Sequence, residues 1–230
     1  QDPQKCLLYG LLASPYLEEE IESTLDPFDS AIFQKAGHKI KESIKKYKVV
    51  SEIAFDPQRL RNSSLLEEKS GNKILIVRGA PETILKLSSK LEGDFKKEEI
   101  LKETEEQGKE GKRILAVAFK NLNKDSFSQE DENDLIFLGY FSFKDPLKLS
   151  AKKAICMAEK MGVKIKIITG DSRQVSGFVG KELGLIKDAA DTVSGEQLSS
   201  LSEEEFEKAC NDFSVFSRIS PQMKYKIIEA

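Results

Sequence analysis

Histidine and cysteine are scarce in this sequence. Its 230 residues hold one histidine, His38, and three cysteines, Cys6, Cys156 and Cys210. His38 falls in the middle of an apolar-periodic stretch, so no histidine is well placed as a general base. Three thiols, odd in number and far apart, make no disulfide framework and fit a reducing compartment. Scattered cysteines of this kind are more often buried thiols than metal ligands. Long apolar runs are also missing. Cys6–Ala13 and Leu135–Phe143 are the longest, well short of the ~18 residues that a membrane-spanning helix needs. Neither a leader nor a basic amphipathic anchor is recognisable. Charge of one sign is lacking too: 36 Lys and Arg face 39 Asp and Glu, a net −3. With no basic block, a nucleic-acid footprint is excluded. Walker loops, zinc ligand sets, dinucleotide fingerprints and catalytic-serine signatures do not occur. A soluble, cytoplasmic, globular chain is expected.

What is present suffices for a packed core. Hydrophobic residues make up 39% of the chain, and glycine raises the apolar share to about 45%, near the usual globular range. The length allows one large domain or two small ones. The pattern changes character near residue 140. Before it, Gln4–Ala13 reads as a short helix. Asp26-Pro27-Phe28-Asp29 opens a longer one, with Asp26 as N-cap and Pro27 at the first helical position. Ile32, Ala36, Ile40 and Ile44 extend an apolar stripe that predicts a helix to about Tyr47. Val49–Phe55 reads as a strand. Leu65-Leu66 and Ile74–Val77 flank a hairpin turn at Ser70-Gly71-Asn72. Pro81 begins a helix ending near Leu87, and Lys90–Lys112 is a loop with a solvated helix. Ile114–Phe119 and Leu135–Phe143 are further strands, joined by the polar Asn121–Asp134 connection. Helices and antiparallel hairpins in this order predict an α+β domain over residues 1–140.

From residue 141 to 230 helices and strands alternate: Leu149–Met161 helix, Val163–Ile168 strand, Ser172–Leu183 helix stopped by Gly184. A capping box at Ser202–Glu205 opens another helix. Phe213–Ile219 is a strand, and Ser220-Pro221 starts the last helix. Strands separated by crossover helices predict a doubly wound parallel α/β sheet. About two parallel strands are too few for such a sheet, so the chain reads as a segment of something longer.

Several positions admit a chemical reading beside a plain one. Thr169-Gly170-Asp171 follows one strand and precedes a helix, where open α/β sheets bind ligands and a helix N-terminus favours anions. Its threonine can meet a phosphate and its aspartate a Mg²⁺ ion or a lysine, or Asp171 is simply a helix cap. Lys224, past the following strand, and Arg218, at that strand's end, either reach a phosphoryl group or are solvated. Phe55 ends a strand beside Arg59 and Arg61, where an exposed ring stacks on a purine, or it belongs to the core. Arg78-Gly79-Ala80-Pro81-Glu82 is a strand-to-helix turn whose small residues allow close approach to a ligand.

The order of these segments says more than any one of them. Asp26-Pro-Phe-Asp-Ser-Ala-Ile, Phe55, Arg78-Gly-Ala-Pro-Glu, Gly111-Lys-Arg-Ile-Leu-Ala-Val-Ala, Asp145-Pro-Leu-Lys, Thr169-Gly-Asp and Phe216-Ser-Arg-Ile-Ser-Pro-Gln-Met-Lys224 together resemble the cytoplasmic headpiece of P-type cation-transporting ATPases. The resemblance covers nearly the whole chain. It implies an α+β nucleotide-binding domain followed by part of a haloacid-dehalogenase-like phosphorylation domain. Phe55 is then implied to stack on adenine, with Asp29, Arg61, Arg78, Gly79 and Arg113 around the nucleotide. Asp145, Thr169, Gly170, Asp171, Arg218 and Lys224 are implied to surround the transferred phosphoryl group or a hinge near residues 140–145. Implied partners are ATP and the rest of the same polypeptide, with its phosphorylation, actuator and transmembrane domains. Mg²⁺ is an implied cofactor, held mostly by residues outside this chain, and the parent is implied to be an integral membrane protein.

The sequence departs from the family pattern in three places. Arg78 stands where the family has lysine, and a planar fork does not replace an ammonium. Leu60 occupies a position usually basic, flanked by Arg59 and Arg61; Arg61 is expected to take the role, with Arg59 as the alternative. Leu147 and Lys148 replace a proline and an arginine. Two segments are missing: the Asp-Lys-Thr-Gly-Thr that accepts phosphate, and the Gly-Asp-Gly-x-Asn-Asp that completes the Mg²⁺ site. Asp2, Asp26, Asp56, Asp145 and Asp171 all lack the context of a substitute nucleophile. A fragment that binds nucleotide yet forms no phosphoenzyme is therefore expected. Two other readings compete: a haloacid-dehalogenase-type phosphatase with a large cap, and a nucleotide-binding module without catalysis.

Overall fold

A computed structural model describes residues 2–14 and 26–230. The chain forms two compact units: residues 1–102 with 114–141, and residues 103–113 with 142–230. In the first, helix α1 (Pro3–Leu12) is capped by the Asp2 carboxylate, which accepts from the amides of Gln4 and Lys5. The Asp26 carboxylate likewise accepts from the amides of Phe28 and Asp29, with Pro27 at the first turn. The helix so started does not run to Tyr47. It is α2 (Pro27–Lys35) followed by a separate α3 (His38–Ile44), because Ala36 turns extended (ψ 123°) and Gly37 caps the new helix (ψ 166°). His38 consequently opens a helix instead of sitting inside one.

Six strands form one sheet in the order β1 (Tyr47–Asp56), β2 (Arg61–Glu68), β3 (Lys73–Gly79), β5 (Lys112–Asn121), β6 (Leu135–Lys144) and β4 (Ser88–Leu91). β1, β2, β3 and β5 pair antiparallel, and the β2–β3 turn is at Gly71, whose φ of +88° suits glycine. β4 pairs parallel with β6. The sequence pattern hides it, since Ser88-Ser89-Lys90-Leu91 has little apolar character, and its addition makes the sheet mixed.

Both faces of the sheet are covered. Leu66, Ile74, Ile76, Val117 and Phe119 pack on Cys6, Tyr9 and Leu12 of α1 and on Ala13 at its C-cap. Leu65, Leu75, Val77, Ala116 and Ala118 pack on Ile84 and Leu85 of α4 (Pro81–Leu87) and on Ile100 of α5 (Lys97–Lys109). Two-faced burial is why Ile74–Val77 and Ile114–Phe119 are continuous apolar runs and not alternating ones.

The second unit holds α6 (Ala151–Lys160), β7 (Ile167–Ile168), α7 (Arg173–Leu183), β8 (Val193–Ser194), α8 (Gly195–Ser199), α9 (Glu203–Asp212), β9 (Val215–Ser217) and α10 (Pro221–Glu229). Its strands pair parallel in the order β7-β9-β8. Gly184 ends α7 at φ +83°, and the Ser202 capping box starts α9. β7 and β9 are shorter than the apolar runs containing them, and β8 with α8 supplies a third strand that the alternation pattern does not reveal. Val193, Leu198, Cys210, Phe216, Ile219 and Ile227 form the core. Gly180 brings α7 close to β9: a Cβ there meets a methyl of Val215 at 2.6 Å. No residue of α6 is fully buried. Among the described residues no helix is long and apolar enough to cross a membrane.

Candidate nucleotide site

Phe55 lies near the end of β1, where the pairing with β2 loses register between Ile53 and Asp56. Such a bulge re-aims a side chain. Phe55 is 60% exposed, the most exposed of the 13 phenylalanines. The turn that follows is tightly tied. The Asp56 carboxylate accepts from the Gln58 amide at 2.7 Å, the Leu60 amide donates to the Asp56 carbonyl at 2.8 Å, and pairing resumes at Asp56–Arg61. Leu60 takes a left-handed conformation, φ 54°, which is unfavourable for a leucine.

The arginines of this turn point into the protein. Glu132, fully buried, accepts from Arg59 Nη2 at 2.6 Å, from Arg61 Nε at 2.6 Å and from the Ser63 hydroxyl. Burial pushes the Glu132 carboxyl up, but the hydrogen bonds from Arg59, Ser63 and Arg61 outweigh it and leave it below the ordinary glutamate value. Among the described residues, Arg59 Nε and Nη1 are buried without a hydrogen-bond partner.

Arg78 and Asp29 are buried as well, and on each other. Arg78 Nη2 donates to Asp29 Oδ2 at 3.0 Å and Nη1 to Oδ1, while Nη1 also donates to the Gly10 carbonyl at 3.1 Å and Nε to Asn62 Oδ1 at 3.0 Å. The Ser14 hydroxyl donates to Asp29 Oδ2 at 2.8 Å, and Asn62 Nδ2 to the Ala13 carbonyl at 2.7 Å. The network joins α1, α2, β2 and β3. The family resemblance implies these two side chains beside the nucleotide; the structure spends their hydrogen bonds on one another. Gly79 has a similar explanation. A Cβ at Gly79 meets the Leu60 carbonyl oxygen at 2.2 Å, so the close approach it permits is by the β1–β2 turn.

In the second unit, Thr169-Gly170-Asp171 sits at the carboxyl end of β7. The Thr169 hydroxyl donates to Asp171 Oδ2 at 2.9 Å and accepts from the Asp171 amide at 3.1 Å. Ser172, not Asp171, caps α7. Arg113 donates to Asp171 Oδ2 at 2.9 Å and lies 3.7 Å from Asp145 Oδ2. Arg218, at φ 51°, donates its amide to the Asp171 carbonyl at 2.9 Å, and the Ile219 amide reaches the Thr169 carbonyl at 3.0 Å. The ends of β7 and β9 are thereby fastened together. Lys224 is exposed on α10, and Gly170 has open space around it. Among the described residues no three potential metal-ligating side chains come together, and the carboxylates of Asp145 and Asp171 both face Arg113. This donor set does not fit Mg²⁺, so no step is assigned to the ion here.

The sequence reading missed Glu132, Ser63, Asn62 and Ser14. Glu132 stands in a polar connection beside Glu130 and Asp131, with nothing in the pattern to mark it as the buried one.

An α+β unit with a mixed sheet and an aromatic displayed at a strand end fits the nucleotide-binding domain that the headpiece resemblance implies. The model of the P-type ATPase cytoplasmic domain N matches residues 12–150. The chain belongs to this family. It is 28% identical, over all of its length, to calcium-transporting ATPase 1 of Lactococcus lactis, covering 28% of that protein. It is 29% identical over 95% of its length to the magnesium-transporting ATPase, P-type 1, of Escherichia coli K12, covering 25% of it. With the Salmonella typhimurium magnesium-transporting ATPase, P-type 1, identity is 34% over 78% of the chain and 21% of that protein. The chain thus spans about a quarter of the length of the curated relatives it matches.

Proposed function

We propose that this chain binds ATP through its first unit and is a cytoplasmic part of a cation-transporting P-type ATPase. The observation that carries the proposal is Phe55: a phenylalanine 60% exposed, set outward by a bulge and held by a hydrogen-bonded turn. Exposing such a ring to water costs free energy unless a ligand covers it. A purine face fits it, stacking for about 1–3 kcal/mol. Family membership supports ATP as the nucleotide. The buried Arg78–Asp29 network then braces the wall of the site, and the exposed face of the β1–β2 turn receives the ligand.

In the parent, the second unit handles the phosphoryl group, with Thr169, Gly170 and Asp171 at the end of β7, Arg218 and Lys224 past β9, and Asp145 and Arg113 beside Asp171. Hydrolysis through an aspartyl phosphate coupled to cation movement is a property of that parent. The present chain, without an Asp-Lys-Thr-Gly-Thr segment, binds nucleotide and releases no phosphate. Calorimetric titration with ATP, with and without Mg²⁺, tests the reading. Saturable binding that Phe55→Ala weakens about 5- to 150-fold, with no phosphate release, is the expected result. No binding at high ATP overturns it.

A further inference from the structure

Glu132 takes no part in the nucleotide site as the family resemblance describes it, yet its carboxylate gathers three side-chain donors. It is fully buried, lies 71 residues from Arg61 and 73 from Arg59, and gathers both guanidinium groups and the Ser63 hydroxyl. Arg59 and Arg61 bracket the left-handed Leu60. Arg61 Nη1 also donates to the Arg59 carbonyl at 3.2 Å, closing the turn on itself. The cluster carries one negative charge and two positive ones. Arg59 stays in it even though, among the described residues, its Nε and Nη1 have no hydrogen-bond partner, a cost that calls for an explanation.

We propose that Glu132 is a positioning residue: by pinning Arg59 and Arg61 it locks the Asp56–Arg61 turn, and the locked turn sets the direction and mobility of the Phe55 ring. The ring follows directly from the geometry, since Phe55 precedes Asp56, and Asp56 pairs with Arg61. Neither arginine is then the primary phosphate contact; their charge is turned inward. The mobility claim stands on the hairpin alone, whereas the affinity claim rests on the nucleotide reading above.

The chain has no tryptophan, so Phe55→Trp places a single fluorophore at the site and keeps an aromatic face. In that background, time-resolved anisotropy without nucleotide reads the motion of the introduced indole, and quenching by ATP reads binding. Glu132→Gln is expected to give a faster, wider indole motion and to raise the ATP Kd about tenfold, as a misplaced contact group does. Far-UV circular dichroism and the thermal midpoint report whether the fold is retained. If Glu132→Gln unfolds the unit, Glu132→Gln with Arg59→Gln is read instead, because it leaves the cluster's net charge unchanged. Unchanged anisotropy in a folded variant overturns the proposal, whatever ATP does. Faster motion with an unchanged Kd refutes the affinity claim alone. An indole that ATP does not quench in the parent refutes the nucleotide reading, and the anisotropy still judges the clamp.

Discussion

Replacing Arg78 by methionine separates a structural role from a ligand-binding one. Methionine fills much of the same volume, so the loss is chiefly of charge and hydrogen bonds. In the native chain the Arg78 guanidinium serves Asp29, Asn62 and the Gly10 carbonyl, and Asp29 is fully buried. Among the described residues, Arg78→Met leaves that carboxylate with the Ser14 hydroxyl alone. Removing one partner of a buried ion pair costs about 3–5 kcal/mol, a large share of the 5–15 kcal/mol typical of a whole domain. The thermal midpoint is expected to fall by about 6–20 °C. Arg78→Lys, which keeps the charge but loses the fork, recovers part of the loss. The double variant Arg78→Met with Asp29→Asn is less destabilised than the two single effects added together, because it leaves no buried charge unpaired. Differential scanning calorimetry measures these three variants and the single Asp29→Asn. A midpoint shift under about 2 °C for Arg78→Met, the size expected of a surface arginine, refutes the burial argument. A large loss of ATP affinity without loss of stability moves Arg78 back to the ligand.

Phe55→Ala is expected to weaken ATP binding by about 1–3 kcal/mol, roughly 5- to 150-fold, with little change in unfolding midpoint; an unaltered Kd refutes the stacking role. Gly79→Ala forces a Cβ to 2.2 Å from the Leu60 carbonyl, whereas Gly170 has open space and no positive φ. The former should lower the thermal midpoint by several degrees and the latter leave it in place, and equal shifts contradict the packing described. Glu132 has a folded-state pKa below its unfolded value, so its stabilisation is complete above the unfolded value of about 4.3 and is lost as pH falls through the folded one. Urea melts from about pH 6 to about pH 3 should therefore decline more steeply for the native chain than for Glu132→Gln; parallel declines disprove it. Burial pushes the Cys6 thiol up to about 12 and raises that of Cys210, while Cys156 is exposed. A thiol reagent near pH 8 should modify one cysteine in the folded chain and three in denaturant, and rapid labelling of Cys6 in the folded chain counts against the α1 packing.

Local signals determined a good part of this protein. Asp26-Pro27, Ser202–Glu205 and Ser220-Pro221 start helices where their capping chemistry says, because a cap is satisfied within a few residues of itself. The Gly71 hairpin and the apolar runs of β3 and β5 are legible for the same reason, as is the order of segments that marks the family. Tertiary structure decided what depends on partners far along the chain. β4 is a strand only because β6 offers it an edge to pair with, and the 27–47 stripe breaks at Ala36-Gly37 although its spacing permits one helix. The site shows the contrast most clearly. Sequence marks Phe55, Arg59, Arg61, Arg78 and Asp29 as a charged, aromatic-bearing set, but no pattern says which charges face water. Burial of Asp29 and Glu132 answers that: each carboxylate draws its arginines inward, because a charge removed from water is tolerated only with a partner at hydrogen-bonding distance. Phe55, beside them, is left outside.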